Sequence, residues 1–475
     1  MDNTSPITPS SPDTICALAT APGGAIGIVR ISGAEAINIA DRLFTPAGGA
    51  PLSDRASHTL TFGTVHDVEG SCIDEVLVSI FRAPHSYTGE DCVEISCHGS
   101  AFILNALLDN LVRCGARPAR PGEYTQRAFQ NGRMDLSQAE AVADLIASRS
   151  AQAHHIALRQ MRGNYSGELA HLRQQLLRFL SLLELELDFS DHEDLEFADR
   201  TELTALARRI EDRLQRLVAS YSLGNVLKNG LPVAIVGETN AGKSTLLNAL
   251  LGEERAIVSN ISGTTRDAIE ATCTIAGTTF RFVDTAGLRE TDDAIERIGI
   301  ERAIAKLRQA QIVLWVFDVN ASADRFRHIY TFLKERMNDA QQLVVLLNKA
   351  DTLSPEQLHE ATRRLSALLP PDTPVLPISA RSEADVQALR THLAAHVPQV
   401  GEEDIVVSSV RHKTALSQAL AAIRRAEEAL AANVSADLVG IDLRECTHHL
   451  AEITGDAITD AEVLNSIFSE FCIGK

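Results

Sequence analysis

The sequence predicts an α/β and α protein of three parts: an N-terminal mixed α/β domain, a discontinuous helical domain, and a parallel-sheet α/β domain inserted into the helical one. Three observations carry this. Glycine-rich stretches with short β-type runs give way to helical apolar spacing at Ser137. A buried-strand run, a glycine loop and a helix follow one another over 231–251. Helical spacing then returns beyond residue 400. A length of 475 residues suits about three domains at ~150 residues each.

Residues 1–13, MDNTSPITPSSPD, lack the basic start and apolar run of a signal peptide and read as a disordered leader to a domain spanning 1–132. The runs Ala25–Ile31 and Glu75–Phe81 are its clearest strands. The first helical part covers 133–228. It is predicted to start with capping-box spacing at Ser137 and Glu140, followed by Ala139, Val142, Ala143 and Ile146. Two further stripes run through Leu172, Leu176, Phe179, Leu183 and Leu187, and through Leu203, Leu206, Ile210, Leu214 and Leu217. The acidic segment Asp188–Glu196 separates them. The inserted domain covers 229–399. The second helical part, 400–475, shows the stripe Leu416, Leu420, Ile423 and Leu430. Two separate bundles would satisfy the same stripes.

Apolar residues make up 45% of the chain, enough for sizeable cores, and the formal charge of -19 gives no broad attraction for nucleic acid. A local basic patch is predicted at Arg113, Arg117, Arg120, Arg127 and Arg133, opposed by Glu123, with an ordinary solvated surface as the competing reading. Eight cysteines occur without a CxxC pair, and Cys92 and Cys97 are too isolated for a zinc site. A reduced, cytoplasmic protein without a membrane span is the expectation. The longest apolar runs, Ile312–Phe317 and Leu343–Leu347, have the length of buried strands.

The inserted domain carries the chemistry. The strand Leu231–Val236 leads into Gly237-Glu238-Thr239-Asn240-Ala241-Gly242-Lys243-Ser244, a complete GxxxxGKS loop, and the helix Thr245–Leu251. Its glycines let backbone N–H groups face phosphate oxygens, Lys243 would neutralise β/γ charge, and Ser244 would ligate Mg²⁺. Downstream, Gly263-Thr264-Thr265 has switch character, with Thr265 suited to the Mg²⁺ shell. The strand Phe280–Val283 ends in Asp284-Thr285-Ala286-Gly287, where the Gly287 N–H can meet the γ-phosphate. Asn348-Lys349-Ala350-Asp351 follows Leu343–Leu347. The Asp351 carboxylate can accept from guanine N1–H and the 2-amino group, which adenine lacks. Ser379-Ala380-Arg381 follows Val375–Ile378 and offers a backbone N–H to guanine O6. Five elements in this order, each at a strand end, spell a Ras-like P-loop GTPase domain.

Leu288 stands where Ras-like enzymes use glutamine to orient the attacking water, so another group must do so. Glu290, Asp292, Asp293, Glu296 and Glu301 are the nearby acids, and their spacing does not choose among them. The Asn240 amide oxygen can ligate a monovalent cation beside the phosphates, supplying charge that an arginine finger otherwise brings; a turn-forming asparagine is the alternative.

The chain resembles the MnmE (TrmE) family of tRNA modification GTPases over almost its whole length beyond the leader. The most specific matches are Asn240–Ser244, Gly263–Asp267, Asp284–Arg289, Glu296–Ala303 and Phe471-Cys472-Ile473-Gly474-Lys475. N-terminal matches are Gly27–Gly33, Thr88-Gly89-Glu90-Asp91 and Arg120–Tyr124. The resemblance implies nucleotide contacts at Asn240, Ala241, Gly242, Lys243, Ser244 and Thr245; at Ser259, Asn260, Ile261, Ser262, Gly263, Thr264 and Thr265; at Asp284, Thr285, Ala286 and Gly287; at Asn348, Lys349 and Asp351; and at Ser379, Ala380 and Arg381. It implies K⁺ coordination by Asn240 and by the backbone at Ser259, Ile261 and Thr264, Mg²⁺ at Ser244 and Thr265, and a water oriented by Glu296. The N-terminal domain resembles the folate-binding fold of aminomethyltransferases. That implies a homodimer and a tetrahydrofolate one-carbon derivative (5-formyl- or 5,10-methylene-tetrahydrofolate) held by Arg30, Glu94, Arg133 and Lys475. Arg133 stands where the family commonly has lysine. Cys472 matches a cysteine proposed to act in the modification chemistry.

Two departures occur near the nucleotide. Glu238-Thr239 replaces a basic residue and proline, which puts a negative charge near the phosphates, and Ser259 replaces threonine. The function implied is GTP hydrolysis coupled to adding a carboxymethylaminomethyl or aminomethyl group at C5 of the wobble uridine of certain tRNAs. The implied partner is the FAD-dependent protein MnmG (GidA), in a heterotetramer or larger complex. FAD belongs to that partner, since no GxGxxG follows the early strands here. The alternatives are a GTP-regulated RNA-binding or ribosome-assembly factor, and a folate-dependent aminomethyltransferase acting alone.

Overall fold

The computed structural model describes residues 13–21, 23–188, 200–252, 271–284, 304, 307–397, 401, 404–458, 461–469, 471 and 474. The chain divides into two compact units. One comprises Met1–Ile146, Leu158–Leu214 and Ala415–Lys475, the other Ala147–Ala157 and Gln215–Thr414.

In the first unit, alternating apolar residues build a seven-stranded sheet. Its strands are β1 (Ile15–Leu18), β2 (Ile26–Ser32), β3 (Phe44–Pro46), β4 (Thr59–His66), β5 (Cys72–Phe81), β6 (Cys92–His98) and β7 (Arg117–Pro118). They lie in the order β3-β4-β5-β6-β2-β1-β7, antiparallel except for β1 with β7. The predicted runs fall within β2 and β5. Successive strand side chains point to opposite faces. One face buries Val29, Ile31, Val78, Ile80, Val93 and Ile95 against the helices Ala36–Leu43 and Ala101–Arg113. Each such fully buried aliphatic side chain contributes roughly 1.5–3 kcal/mol. Register places Arg30 of β2 directly opposite Glu94 of β6.

The expected basic patch is divided: Arg113, Arg120 and Arg133 are exposed, whereas Arg117 and Arg127 are held by acids. Arg127 is buried and pairs with Asp13, Glu90 and Glu123, while Arg117 pairs with Asp13 and Glu123. Glu123 belongs to the same stretch, but Asp13 and Glu90 come from separate segments, which is why local charge spacing did not reveal them. The Glu123 carboxylate is almost fully buried, which alone would raise its pKa. Hydrogen bonds from the Arg117 guanidinium and the Arg120 N–H outweigh that and hold it at about 2.

The helical part of this unit buries the stripes read from sequence. Leu172, Leu176, Phe179 and Leu183 are buried on Asn164–Asp188, Leu203, Ile210 and Leu214 on Arg200–Asn229, and Leu416, Leu420, Ile423 and Leu430 on Val410–Ala431. Asn164–Asp188 packs along Ala436–Thr454. Ion pairs Arg208–Glu427 and Arg424–Glu211 tie helices that are far apart in sequence. The helix Leu136–Ala147 is capped differently from the expectation. Asp135 Oδ1 accepts from the Gln138 N–H and Gln138 Oε1 from the Asp135 N–H, a reciprocal box two residues earlier than Ser137 and Glu140. Ser137 is fully buried and donates to Asp135 instead.

The second unit is built on a six-stranded sheet: β8 (Leu231–Val236), β9 (Ala271–Ile275), β10 (Thr278–Asp284), β11 (Ile312–Asp318), β12 (Gln342–Asn348) and β13 (Val375–Pro377), in the order β13-β12-β11-β8-β10-β9. All neighbours are parallel except β9 with β10. Both faces are covered, so the central strands read as continuous apolar runs. On β11, Ile312, Leu314 and Val316 face a core shared with the helices Lys243–Leu251 and Glu383–Ala394. Val313, Trp315 and Phe317 face the helices Ala323–Lys334 and Pro355–Ser366. No helix among the described residues is long and apolar enough to cross a membrane.

Candidate active site

The carboxyl ends of β8, β12 and β13 converge on one cavity of about 550 Å³. It is lined by Asn240, Gly242, Lys243, Ser244 and Thr245 from the loop after β8 and its helix, by Asn348, Lys349, Asp351 and Thr352 after β12, and by Ser379, Ala380 and Arg381 after β13. Three of the five predicted elements thus meet in one place, at the sheet edge where α/β folds bind ligands. Asp284 closes β10, in register with Ile235 of β8. Ser259, Asn260, Ile261, Ser262, Gly263, Thr264, Thr265, Thr285, Ala286, Gly287 and Glu296 lie outside the described residues.

Local chemistry shapes the loop. Gly237 and Gly242 have φ of 150° and 101°. A Cβ on Gly237 would strike the Val316 carbonyl, and one on Gly242 the Asn348 amide nitrogen. Only glycine lets the backbone turn here, which is what exposes its N–H groups to an anion. Asn240 sits at φ 64°, a conformation asparagine tolerates. Lys243 Nζ donates to the carbonyls of Gly237 and Glu238, both at 2.8 Å, so its charge is fixed inside the loop's curve. Lys243 also opens the helix Lys243–Leu251, whose positive N-terminal end faces the same cavity.

Asn348 is the clasp of the site. Its Nδ2 donates to the Ala241 carbonyl at 2.7 Å and its Oδ1 accepts from the Ala380 N–H at 2.9 Å, joining the phosphate loop to the loop after β13. Lys349, at φ 64°, donates to Asp318 Oδ2 at 2.7 Å. Burial works to raise the Asp318 pKa, but the Lys349 ammonium and the Asn320 N–H hold it below the usual carboxylate range. Asp351 lies in the short turn Ala350–Thr352 and lines the cavity. The Ser379 N–H donates to Asp385 Oδ2, which braces the third loop. The expected excess negative charge in the loop is compensated, because Glu238 Oε1 pairs with Arg325 Nε at 2.7 Å.

Sequence reading missed Asp318, Asp385 and Arg325. Asp385 follows a capped helix start at Ser382, and Asp318 ends a strand, so both left a faint local signal. Arg325 left none, being 87 positions from Glu238.

In the first unit, Arg30 Nε donates to Glu94 Oε1 at 2.9 Å and Arg30 Nη1 to the Gly474 carbonyl at 3.0 Å. The guanidinium also lies 5.7 Å from the ring centres of Tyr87 and Tyr124. The structure therefore brings two predicted folate residues, Arg30 and Glu94, together beside Gly474. Arg133 packs its stem near Gly89 of the Thr88–Asp91 turn. Cys472 and Lys475 lie outside the described residues.

Comparison with known proteins completes the picture. The family model described as the MnmE helical domain matches residues 136–472, and that for the GTP-binding protein TrmE N-terminus matches residues 14–133. The chain belongs to the MnmE family. A relative from Bacteroides fragilis named tRNA modification GTPase MnmE is 55% identical across 98% of this chain and 99% of its own length. Relatives of the same name from Bacteroides thetaiotaomicron and Flavobacterium johnsoniae are 54% and 48% identical, each across 98% of this chain and 99% of the relative. The fold expected of MnmE, with an N-terminal α/β domain, helices and a P-loop α/β domain, is the fold described above.

Proposed function

We propose that this chain hydrolyses GTP in the cavity at the β8–β13 edge, and that hydrolysis drives a rearrangement serving modification of the wobble uridine of tRNA. The observation that carries the reading is the convergence of Lys243, Ser244 and Asp351 on one cavity in a chain so similar to tRNA modification GTPases along its length. Asp351 selects guanine, because its carboxylate would lose both donors with adenine. Lys243 and the loop N–H groups hold the phosphates at the positive end of the helix Lys243–Leu251.

The donor set suits the ions. The Ser244 hydroxyl lines the cavity beside the glycine-formed cradle and, with Thr265, would hold Mg²⁺, which supplies neutralisation of β/γ charge when bound. The Asn240 amide oxygen, with backbone oxygens of Ser259, Ile261 and Thr264, would hold K⁺. Glu296 would orient the attacking water. Arg30 and Glu94 are hydrogen-bonded to each other, and with Arg133 and Lys475 they would hold a tetrahydrofolate one-carbon donor. Cys472 would act near that donor. The working assembly is a homodimer joined by the FAD-dependent MnmG, and tRNA is the substrate.

Two measurements test this. Nucleoside analysis of tRNA from cells lacking the protein should show unmodified wobble uridine, restored by the wild type; normal uridines in the deletion strain refute the tRNA role. Purified protein should hydrolyse GTP faster in K⁺ than in Na⁺, Asn240→Ala should lose that preference, and Glu296→Ala should bind GTP yet turn over poorly. Equal rates in both salts refute the cation role, and unchanged turnover in Glu296→Ala moves the water-orienting role to another acid.

A further inference from the structure

We infer that Arg325 is a positioning residue for the triphosphate: it neutralises Glu238, so that the phosphate loop keeps the positive field that Lys243 supplies. The inference rests on the reading that GTP occupies this cavity and adds what lets this particular loop accept it.

Glu238 is the second residue of the GxxxxGKS loop. Its carbonyl receives Lys243 Nζ at 2.8 Å, so the Glu238 carboxylate departs from a backbone position already in contact with the phosphate-binding ammonium. An unopposed carboxylate there cancels part of the lysine's charge and repels a multiply charged ligand. Arg325 answers it, with Nε 2.7 Å from Glu238 Oε1. The arginine is not a wandering surface side chain at its root. Its N–H donates to Ser322 Oγ, the cap of the helix Ala323–Lys334, and that helix follows directly on β11, whose Val316 carbonyl abuts Gly237. One strand end thus places both the loop and its counter-charge.

Both partners are partly open to water, with side-chain exposures of 57% for Arg325 and 34% for Glu238. An exposed pair of this kind contributes little to stability by itself. Its value lies in what the uncompensated carboxylate would do to a polyanion nearby, and that effect must scale with ligand charge and fade with ionic strength.

The test is calorimetric titration of the full chain, with Mg²⁺, using the non-hydrolysable β,γ-imido analogue of GTP, then GDP, then guanosine. Arg325→Ala should weaken the triphosphate about 3- to 10-fold, the diphosphate less, and guanosine not at all. Adding Glu238→Gln to Arg325→Ala should return the triphosphate affinity to within about twofold of wild type, and choline chloride should shrink the single variant's deficit. Unchanged triphosphate affinity in Arg325→Ala overturns the inference. So does an equal loss for guanosine, or failure of Glu238→Gln to rescue, because each points to folding rather than charge. Wild-type protein that takes the ATP analogue as readily as the GTP analogue fails the underlying nucleotide reading instead, and does so before any variant is compared.

Discussion

Replacing Asn348 by alanine would open the clasp between two binding loops. The side chain is almost fully buried, and so are its partners Ala241 and Ala380. The substitution leaves the Ala241 carbonyl and the Ala380 N–H without their bonds of 2.7 and 2.9 Å. A buried backbone group stripped of its partner costs about 1–3 kcal/mol, so the two together cost about 2–6 kcal/mol. The chain's single tryptophan makes the loss measurable in the right place. Trp315 is fully buried in the core of the second unit, against Phe317 and Phe326, so its emission reports unfolding of that unit alone. With a urea slope of ~2 kcal/mol/M, the midpoint should fall by about 1–3 M. GTP affinity should drop at least about tenfold, since both loops that face the ligand lose their mutual anchor. Asn348→Asp is the sharper control. It keeps an acceptor for Ala380 but sets a carboxylate oxygen against the Ala241 carbonyl, and should fare no better than alanine. A midpoint within about 0.2 M of wild type for either variant would refute the clasp.

Asp318→Ala should free Lys349 and weaken GTP by about 3- to 10-fold, read by the same titration, because a charged hydrogen bond of this kind is worth ~1.5–3 kcal/mol of which only the positioning part reaches the ligand; an unchanged affinity would show that Lys349 needs no brace. Glu123 gives a pH signature. Its folded-state pKa of about 2 lies below the unfolded value of ~4.3, so its contribution, on the order of 3 kcal/mol, is fully present above pH ~5 and drains away as the pH falls towards 2. Calorimetric unfolding should show the first unit losing stability through that window in the wild type, and Glu123→Gln should be weaker at neutral pH with a flatter acid limb. Parallel acid limbs would exclude Glu123 as the source.

Much of this architecture was legible because its signals are local. A glycine loop between an apolar strand and a helix announces itself, as does Asn348-Lys349-Ala350-Asp351 after a buried run. The helical stripes on Asn164–Asp188 and Arg200–Asn229 were readable for the same reason, since side-chain periodicity is a property of neighbouring residues. What stayed hidden was pairing across long sequence distances. Arg117 and Arg127 read as a basic patch because Asp13 and Glu90 lie remote in sequence. Glu238 read as a liability because Arg325 is carried in by the next parallel strand's helix. The Asp135–Gln138 cap was missed for a subtler reason: Ser137 and Glu140 offer the same spacing two residues later, and only burial of Ser137 decides between them. The resemblance implied a nucleotide contact at Asn348; what sequence did not show is that this cavity-lining side chain also joins two loops of the site.

The bond from Arg30 to the Gly474 carbonyl spans 444 positions. At synthesis speeds of ~5–20 residues per second, roughly 20–90 s separate the two residues' emergence from the peptidyl-transferase centre. For most of that interval the Arg30 guanidinium can have Glu94, Tyr87 and Tyr124 beside it but not the Gly474 carbonyl. The bond therefore forms only once residue 474 has been made and has left the exit tunnel, long after the β2–β6 ladder is free to pair.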